Sequence, residues 1–302
     1  MNKIQQSTPF SQVRITDPGG GGRWDFSIGG GELTLIAGPC ALESPELGLE
    51  VAETVRDICR SFDINYIFKA SFDKANRTSV DSYRGPGLEE GLEQLSHIGR
   101  KAGVPVITDI HESWQAERAA KYADILQIPA FLCRQTDLLL AAAKTGRPLN
   151  IKKAQFLAPL DMAHVVKKCR DGGAGAVMLC ERGTFMGYGR LVTDMTSLPL
   201  MRSLGCPVVF DGTHSVQAPG AAGGASGGDR RLVLPLVRAA LAAGVDALFL
   251  ETHPDPDRAK SDGPNMVPLS KMKFLLEQAA ELHAIVGEII GMPSLDWAEA
   301  QE

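Results

Sequence analysis

The chain has 302 residues, 44% hydrophobic and 22% charged, with a formal net charge of −5. That composition excludes disorder and predicts a sizeable buried core. The absence of a global basic bias argues against a nucleic-acid or membrane-surface role, so any basic patch must be local.

Residues 1–31 are weakly patterned and broken by Gly19–Gly22 and Gly29–Gly31. They read as an N-terminal extension, with a hairpin through Arg23–Ile28, ahead of one catalytic domain over 32–302. From there a strand–helix rhythm begins. Leu33–Ala37 is a short apolar strand, and Ser44-Pro45-Glu46 opens a helix with a capping hydroxyl and a proline where its missing N–H costs nothing. Strands follow at Ile64–Phe68, Pro105–Thr108, Ile125–Ile128, Leu149–Lys152, Ala176–Cys180, Pro207–Asp211 and Ala247–Leu250. Helices are predicted at Gly87–Lys101, Ser113–Lys121, Gln135–Lys144, Leu160–Arg170, Leu198–Leu204, Arg230–Ala243 and Ser270–Ile289. The strands are apolar throughout, as parallel strands covered on both faces should be. Eight such units in about 260 residues match a (β/α)₈ TIM barrel. A doubly wound open sheet is the runner-up, but the turn after the first strand is Ala37-Gly38-Pro39-Cys40, not a GxGxxG phosphate turn.

In a barrel, chemistry collects at the C-terminal ends of the strands. Those ends carry Cys40, Lys69 with Lys74, Asp109 with His111, Gln127, Lys152 with Lys153, Glu181-Arg182, Asp211 with His214, and Glu251 with His253. Placing so many polar groups on core strands is costly unless they line a site. Lys69, Lys74, Lys152 and Arg182 suit one strongly anionic ligand. Cys40, His214, Glu251 and Asp262 mix S, N and O donors that suit Zn²⁺, Fe²⁺ or Mn²⁺, although no short spacing motif links them. On residue chemistry alone, Cys40 is equally a buried structural thiol, and Glu251 and Asp262 equally the ion-pair partners of Lys260 or Arg258. The remaining five cysteines have no CxxC spacing and fit a reduced cytoplasmic protein. His97, His164 and His283 fall on helices as ordinary structural or surface histidines. The glycine-rich stretches 183–189 and 217–230 read as lids over a barrel mouth, the second placing Ser226 and its neighbours at a helix N-terminus suited to phosphate.

Long ordered motifs then carry a resemblance: Ile36–Ser44, Lys69–Arg77, Asn150–Phe156, Cys180–Gly183, Asp211–Gln217 and Glu251–Pro254. From Leu35 to Pro268 the chain resembles the 3-deoxy-D-manno-octulosonate 8-phosphate synthases (2-dehydro-3-deoxyphosphooctonate aldolases). The resemblance implies a cytoplasmic, homotetrameric transferase that condenses phosphoenolpyruvate with D-arabinose 5-phosphate and water for lipopolysaccharide synthesis. It implies no nucleic-acid or membrane partner. The 3-deoxy-D-arabino-heptulosonate 7-phosphate synthases share the Ala-Gly-Pro-Cys turn but have Lys-Pro-Arg-Thr where this chain has Lys74-Ala75-Asn76-Arg77; they are the alternative, with a non-catalytic sugar-phosphate-binding barrel as a third. Cys40, where metal-independent members carry Asn, and Ser261, where they tend to carry Cys, imply the metal-dependent class. The implied metal is a divalent ion (Mn, Fe, Zn or Co) on Cys40, His214, Glu251 and Asp262. The implied phosphoenolpyruvate site is Lys69, Lys74, Gln127, Lys152 and Arg182. Asn76, Arg77, Thr78 and Ser226 are implied for the aldose phosphate, with Arg134 lent across a subunit interface. Lys74, His214 and Asp262 are the implied catalytic groups.

Overall fold

The computed structural model describes residues 12–17, 21–77, 79–219 and 227–290. Eight parallel strands form its centre: β3 (Thr34–Gly38), β4 (Asn65–Lys69), β5 (Val106–Asp109), β6 (Ile125–Ile128), β7 (Leu149–Lys152), β8 (Val177–Glu181), β9 (Val208–Asp211) and β12 (Ala247–His253). Neighbours in sequence are neighbours in the sheet, and β12 pairs with both β9 and β3, which closes the barrel. The (β/α)₈ reading therefore holds, and the open-sheet alternative fails because the sheet has no free edge between its first and last strands. Four of the predicted strands sit one residue further on, and the eighth runs three residues longer, through Glu251 and His253.

The helices are α1 (Pro45–Arg60), α2 (Leu88–Ala102), α3 (Gln115–Ala119), α4 (Thr136–Lys144), α5 (Met162–Asp171), α6 (Ser197–Arg202), α7 (Val233–Ala242) and α8 (Met272–Ile290). Ser44 caps α1 as its sequence suggests, its hydroxyl accepting from the Leu47 N–H at 3.2 Å. Helix α2 ends at Gly103, whose φ of +66° is the left-handed geometry that stops a helix and that glycine adopts without strain. Helix α3 is shorter than Ser113–Lys121, because the Gln115 side chain accepts from the N–H groups of His111 and Glu112 and takes over the preceding turn. The main core lies between the outer barrel face and the helices, with Phe68, Leu95, Ile98, Leu126, Leu179 and Leu276 among its buried members.

The extension forms a hairpin wider than the expected Arg23–Ile28, which supplies only its second strand. Strands β1 (Val13–Thr16) and β2 (Asp25–Ile28) pair antiparallel, Val13 opposite Ile28. Val13, Ile15 and Ile28 are buried in one cluster with Ile36, Ile67, Ile107, Ile125, Val209 and Phe249, the inward residues of the strands. The hairpin thus seals the end of the barrel where the strands begin. Chemistry is left to the other end, where strand termini and their loops surround an open cavity.

Candidate active site

That cavity measures about 610 Å³, and Lys69, Lys74, Gln127, Lys152, Arg182 and His214 all line it. Each sits at or just past a strand end, so the closed barrel fixes their spacing. Lys69, ending β4, is buried and donates to Glu251 Oε1 and to the Cys40 carbonyl, both at 3.0 Å. Glu251 is therefore ion-paired, but with Lys69 and not with Lys260 or Arg258. The reason is position: in β12 its carboxylate points into the barrel mouth, next to β3 and one strand from β4. Lys152, ending β7, lies 2.6 Å from Asp211 Oδ2 and rests on the Phe249 ring, 3.7 Å from its centre.

The sulfur-and-carboxylate group also assembles. Ligand atoms of Cys40, Glu251 and Asp262 lie within 4.8 Å of one another, the first two on buried residues. Cys40 Sγ is 3.2 Å from Asp262 Oδ2 and from the Ser261 hydroxyl. His214 is drawn slightly apart: its Nε2 is 3.8 Å from Glu251 Oε1, and it is not part of the three-residue cluster. Its Nδ1 lies 2.7 Å from Asp211 Oδ2, which leaves Nε2 as the ring nitrogen facing the cluster. Burial opposes ionisation of the Cys40 thiol, and the Glu251 charge adds to it, so its pKa is pushed up. Burial works in the same direction on the Asp211, Glu251 and Asp262 carboxyls. It is outweighed chiefly by His214 and Lys152 at Asp211, by Lys69 and His214 at Glu251, and by His214 and Lys74 at Asp262, so all three lie below the usual carboxylate range. At Lys74, burial would lower the pKa, but Cys40, Glu251, Asp109 and Asp262 raise it.

Among the buried polar atoms without a hydrogen-bond partner are one charged donor and one charged acceptor of this site, Arg182 Nη1 and Glu251 Oε2. An unpaired buried guanidinium N–H beside three lysines suits an anion, and an unpaired carboxylate oxygen beside a thiol suits a cation. The donor set of thiol, carboxylates and imidazole accordingly fits a divalent transition ion. Asp262 itself has φ +50°, an uncommon conformation for a residue other than glycine, held where its carboxylate meets Cys40.

The family model described as the DAHP synthetase I family matches residues 5–288. Proteins named 2-dehydro-3-deoxyphosphooctonate aldolase are similar over most of their length. The one from Desulfotalea psychrophila is 55% identical across all of its length and 93% of this chain. The one from a Cyanothece strain is 60% identical over 84% of this chain and 93% of its own, and that of Fusobacterium nucleatum 59% over 84% and 91%. The chain belongs to the 2-dehydro-3-deoxyphosphooctonate aldolases of the DAHP synthetase I family.

In the same cavity, Asn76 and Arg77 are among the lining residues, and Arg77 Nη1 donates to the Ser261 hydroxyl at 2.6 Å. Thr78 and Ser226 lie outside the described residues. The segment after residue 226 does not offer a bare helix N-terminus, however. Asp229 caps the 3₁₀ turn Arg230–Leu232 that precedes α7, accepting from the Arg231 N–H, so a carboxylate already occupies the anion-favouring position. Arg134 is exposed and does not line this chain's own cavity. All six cysteines are free and buried. His97 and His164 are exposed, and His283 lies within 2.9 Å of the Gly31 carbonyl, in line with structural or surface roles.

Sequence reasoning gave no role to Ser71, Gln155 or Gln217, which all line the cavity. Ser71 donates to Asp109, whose other oxygen is 3.0 Å from His111 Nε2. The signal was present in part, since Asp109 and His111 fall at a strand end. Gln217 belongs to a quoted motif, yet only the folded geometry shows what its amide touches.

Proposed function

We propose that the protein condenses phosphoenolpyruvate with D-arabinose 5-phosphate and water, releasing phosphate and forming 3-deoxy-D-manno-octulosonate 8-phosphate. The observation that carries this reading is that an unpartnered Arg182 N–H among lysines lines the same cavity as Asp262, the least buried member of the Cys40–Glu251–Asp262 cluster. The relatives' shared name agrees with it and disfavours the heptulosonate alternative and a non-catalytic barrel.

The chain's own groups divide the work. Lys69, Lys152 and Arg182, with Gln127, hold the phosphate and carboxylate of phosphoenolpyruvate. Asn76 and Arg77, joined by Thr78 and Ser226, take the aldose phosphate, and Arg134 completes the site of a neighbouring subunit in a homotetramer. Held side by side, the two substrates need only local motion to react, a proximity gain. C3 of phosphoenolpyruvate bonds to the aldehyde carbon while the aldehyde oxygen gains a proton, for which Lys74 is the donor. Water adds to the cationic C2 and returns one proton to Lys74; the hemiketal phosphate then collapses to the C2 ketone, its hydroxyl proton leaving with the phosphate as the C2–O bond breaks, and Lys152 and Arg182 stabilise the departing charge. A divalent ion held by Cys40, His214, Glu251 and Asp262 would supply Lewis-acid polarisation of the aldehyde or water oxygen. We place the reaction in the cytoplasm, on the route to lipopolysaccharide.

A phosphate-release assay with arabinose 5-phosphate, erythrose 4-phosphate and N-acetylmannosamine as alternative acceptors tests this. Release with the pentose phosphate alone, lost on chelation and restored by Mn²⁺, is expected. Preference for erythrose 4-phosphate would reassign the substrate, and full activity in a metal-free preparation would remove the ion.

A further inference from the structure

Gln217 connects the two halves of the site. It is buried, and its side-chain amide is engaged at both ends: Oε1 accepts from Arg182 Nη2 at 2.7 Å, and Nε2 donates to Asp262 Oδ1 at 3.1 Å. Chemistry fixes that orientation, because a guanidinium only donates and a carboxylate only accepts. Flipping the amide would put like against like on both sides. The backbone is equally constrained. Gln217 starts the short strand β10 (Gln217–Ala218), paired with β11 (Gly227–Gly228), and its carbonyl accepts from the Leu191 N–H at 3.0 Å. The amide therefore spans from the arginine that faces the anion to the carboxylate beside Cys40.

We propose that Gln217 is a positioning residue that couples anion binding at Arg182 to cation binding at Asp262. The proposal rests on the functional reading above. With Asp262 held in place by a bound cation, Oδ1 would stay where Nε2 can reach it. The amide is then fixed, and so is the acceptor that aims the Arg182 fork. If Asp262 swings away, the amide is free to rotate and Arg182 Nη2 loses its guide. An anion that draws Arg182 into line acts in reverse. Occupancy of either side thus prepares the other, and the reciprocity is thermodynamically required.

The experiment is a linkage measurement on the full chain. The Mn²⁺ dissociation constant is measured against a fluorescent chelator, and that of phosphoenolpyruvate by calorimetry, each alone and with the other ligand saturating. The wild type should show each ligand tightening the other by the same factor, about 5-fold or more. Gln217→Met keeps the length and removes both hydrogen bonds; the factor should fall at least severalfold. Attraction between the bound charges survives that substitution, so the fall reports the amide. Should the Met variant fold poorly, Gln217→Glu retains an acceptor for Arg182 but has no donor for Asp262, and it too should lose coupling. Apo melting temperatures separate this from a merely structural defect, which would lower stability and leave the factor intact. An unchanged factor in a folded variant, or both ligands binding the wild type without coupling, overturns the bridge alone. Failure to bind either ligand overturns the bridge and the assigned function together.

Discussion

Arg77, which lines the cavity, donates to Ser261, the residue before Asp262. If it reads the aldose phosphate, Arg77→Ala should raise the KM for pentose phosphate roughly 30- to 150-fold, the loss of about 2–3 kcal/mol expected for a hydrogen bond to a charged group. The KM for phosphoenolpyruvate should move far less, and equal effects on both would refute the assignment. Asp109 offers a pH prediction. Burial opposes its ionisation, but the hydrogen bond with His111 and the charges of His111, Lys69 and Lys74 outweigh it and hold the carboxyl well below the usual range. A depressed folded pKa stabilises fully above the unfolded value of about 4 and is lost as pH falls through the folded value. Denaturant melts of wild type and Asp109→Asn should therefore differ most near neutrality and converge below about pH 4. A constant difference at all pH values would refute this. Individual ligand types were legible in the sequence because barrel topology brings strand ends together. Pairings such as Lys69–Glu251, between residues 182 positions apart, were not, since they depend on which strands adjoin.

At the scale of elements, the turn from β3 into Cys40 depends on one missing methyl group. A Cβ built on Gly38 would meet the Lys69 carbonyl oxygen at 2.0 Å, a contact neither backbone can relieve without shifting β3 against β4. Gly38→Ala should destabilise the fold by about 1–3 kcal/mol or more. It should also weaken Mn²⁺ affinity, because Cys40 and Lys69 move with the two strands. Thermal melting and chelator competition would check both, and a wild-type melting temperature would count against the packing argument. Seven of the eight strands were readable to within one residue because buried parallel strands are uniformly apolar, whereas the eighth runs three residues on through the polar Glu251, Thr252 and His253. Helix ends shifted further where a side chain redirects the turn, as Gln115 does at α3 and Asp229 does ahead of α7. Such local hydrogen bonds compete with helical geometry without changing the hydrophobic period.

For the whole molecule, the paired strands Val13–Thr16 and Asp25–Ile28 are a floor. Val13, Ile15 and Ile28 are each at most 2% exposed. Burying three such side chains stabilises by very roughly 5–9 kcal/mol, comparable to the entire stability of a domain. Removing residues 1–31 should therefore abolish soluble expression or lower the melting temperature steeply. A truncated protein melting like the full chain would show the hairpin to be dispensable. The sequence marked this segment as an extension because its glycines hide the alternation of Val13, Ile15 and Ile28. Its function as a plug follows only from barrel closure.

Phe249 belongs to that same floor, yet its ring carries Lys152 at 3.7 Å, has Lys69 at 5.5 Å, and has the His214 ring 5.8 Å away. One aromatic thus serves as both keel and bench: the surface on which the reactive cations rest is the top of the block that keeps the lower barrel dry. Stability and chemistry share this side chain, so an attempt to harden the barrel by repacking at Phe249 would retune the site as well.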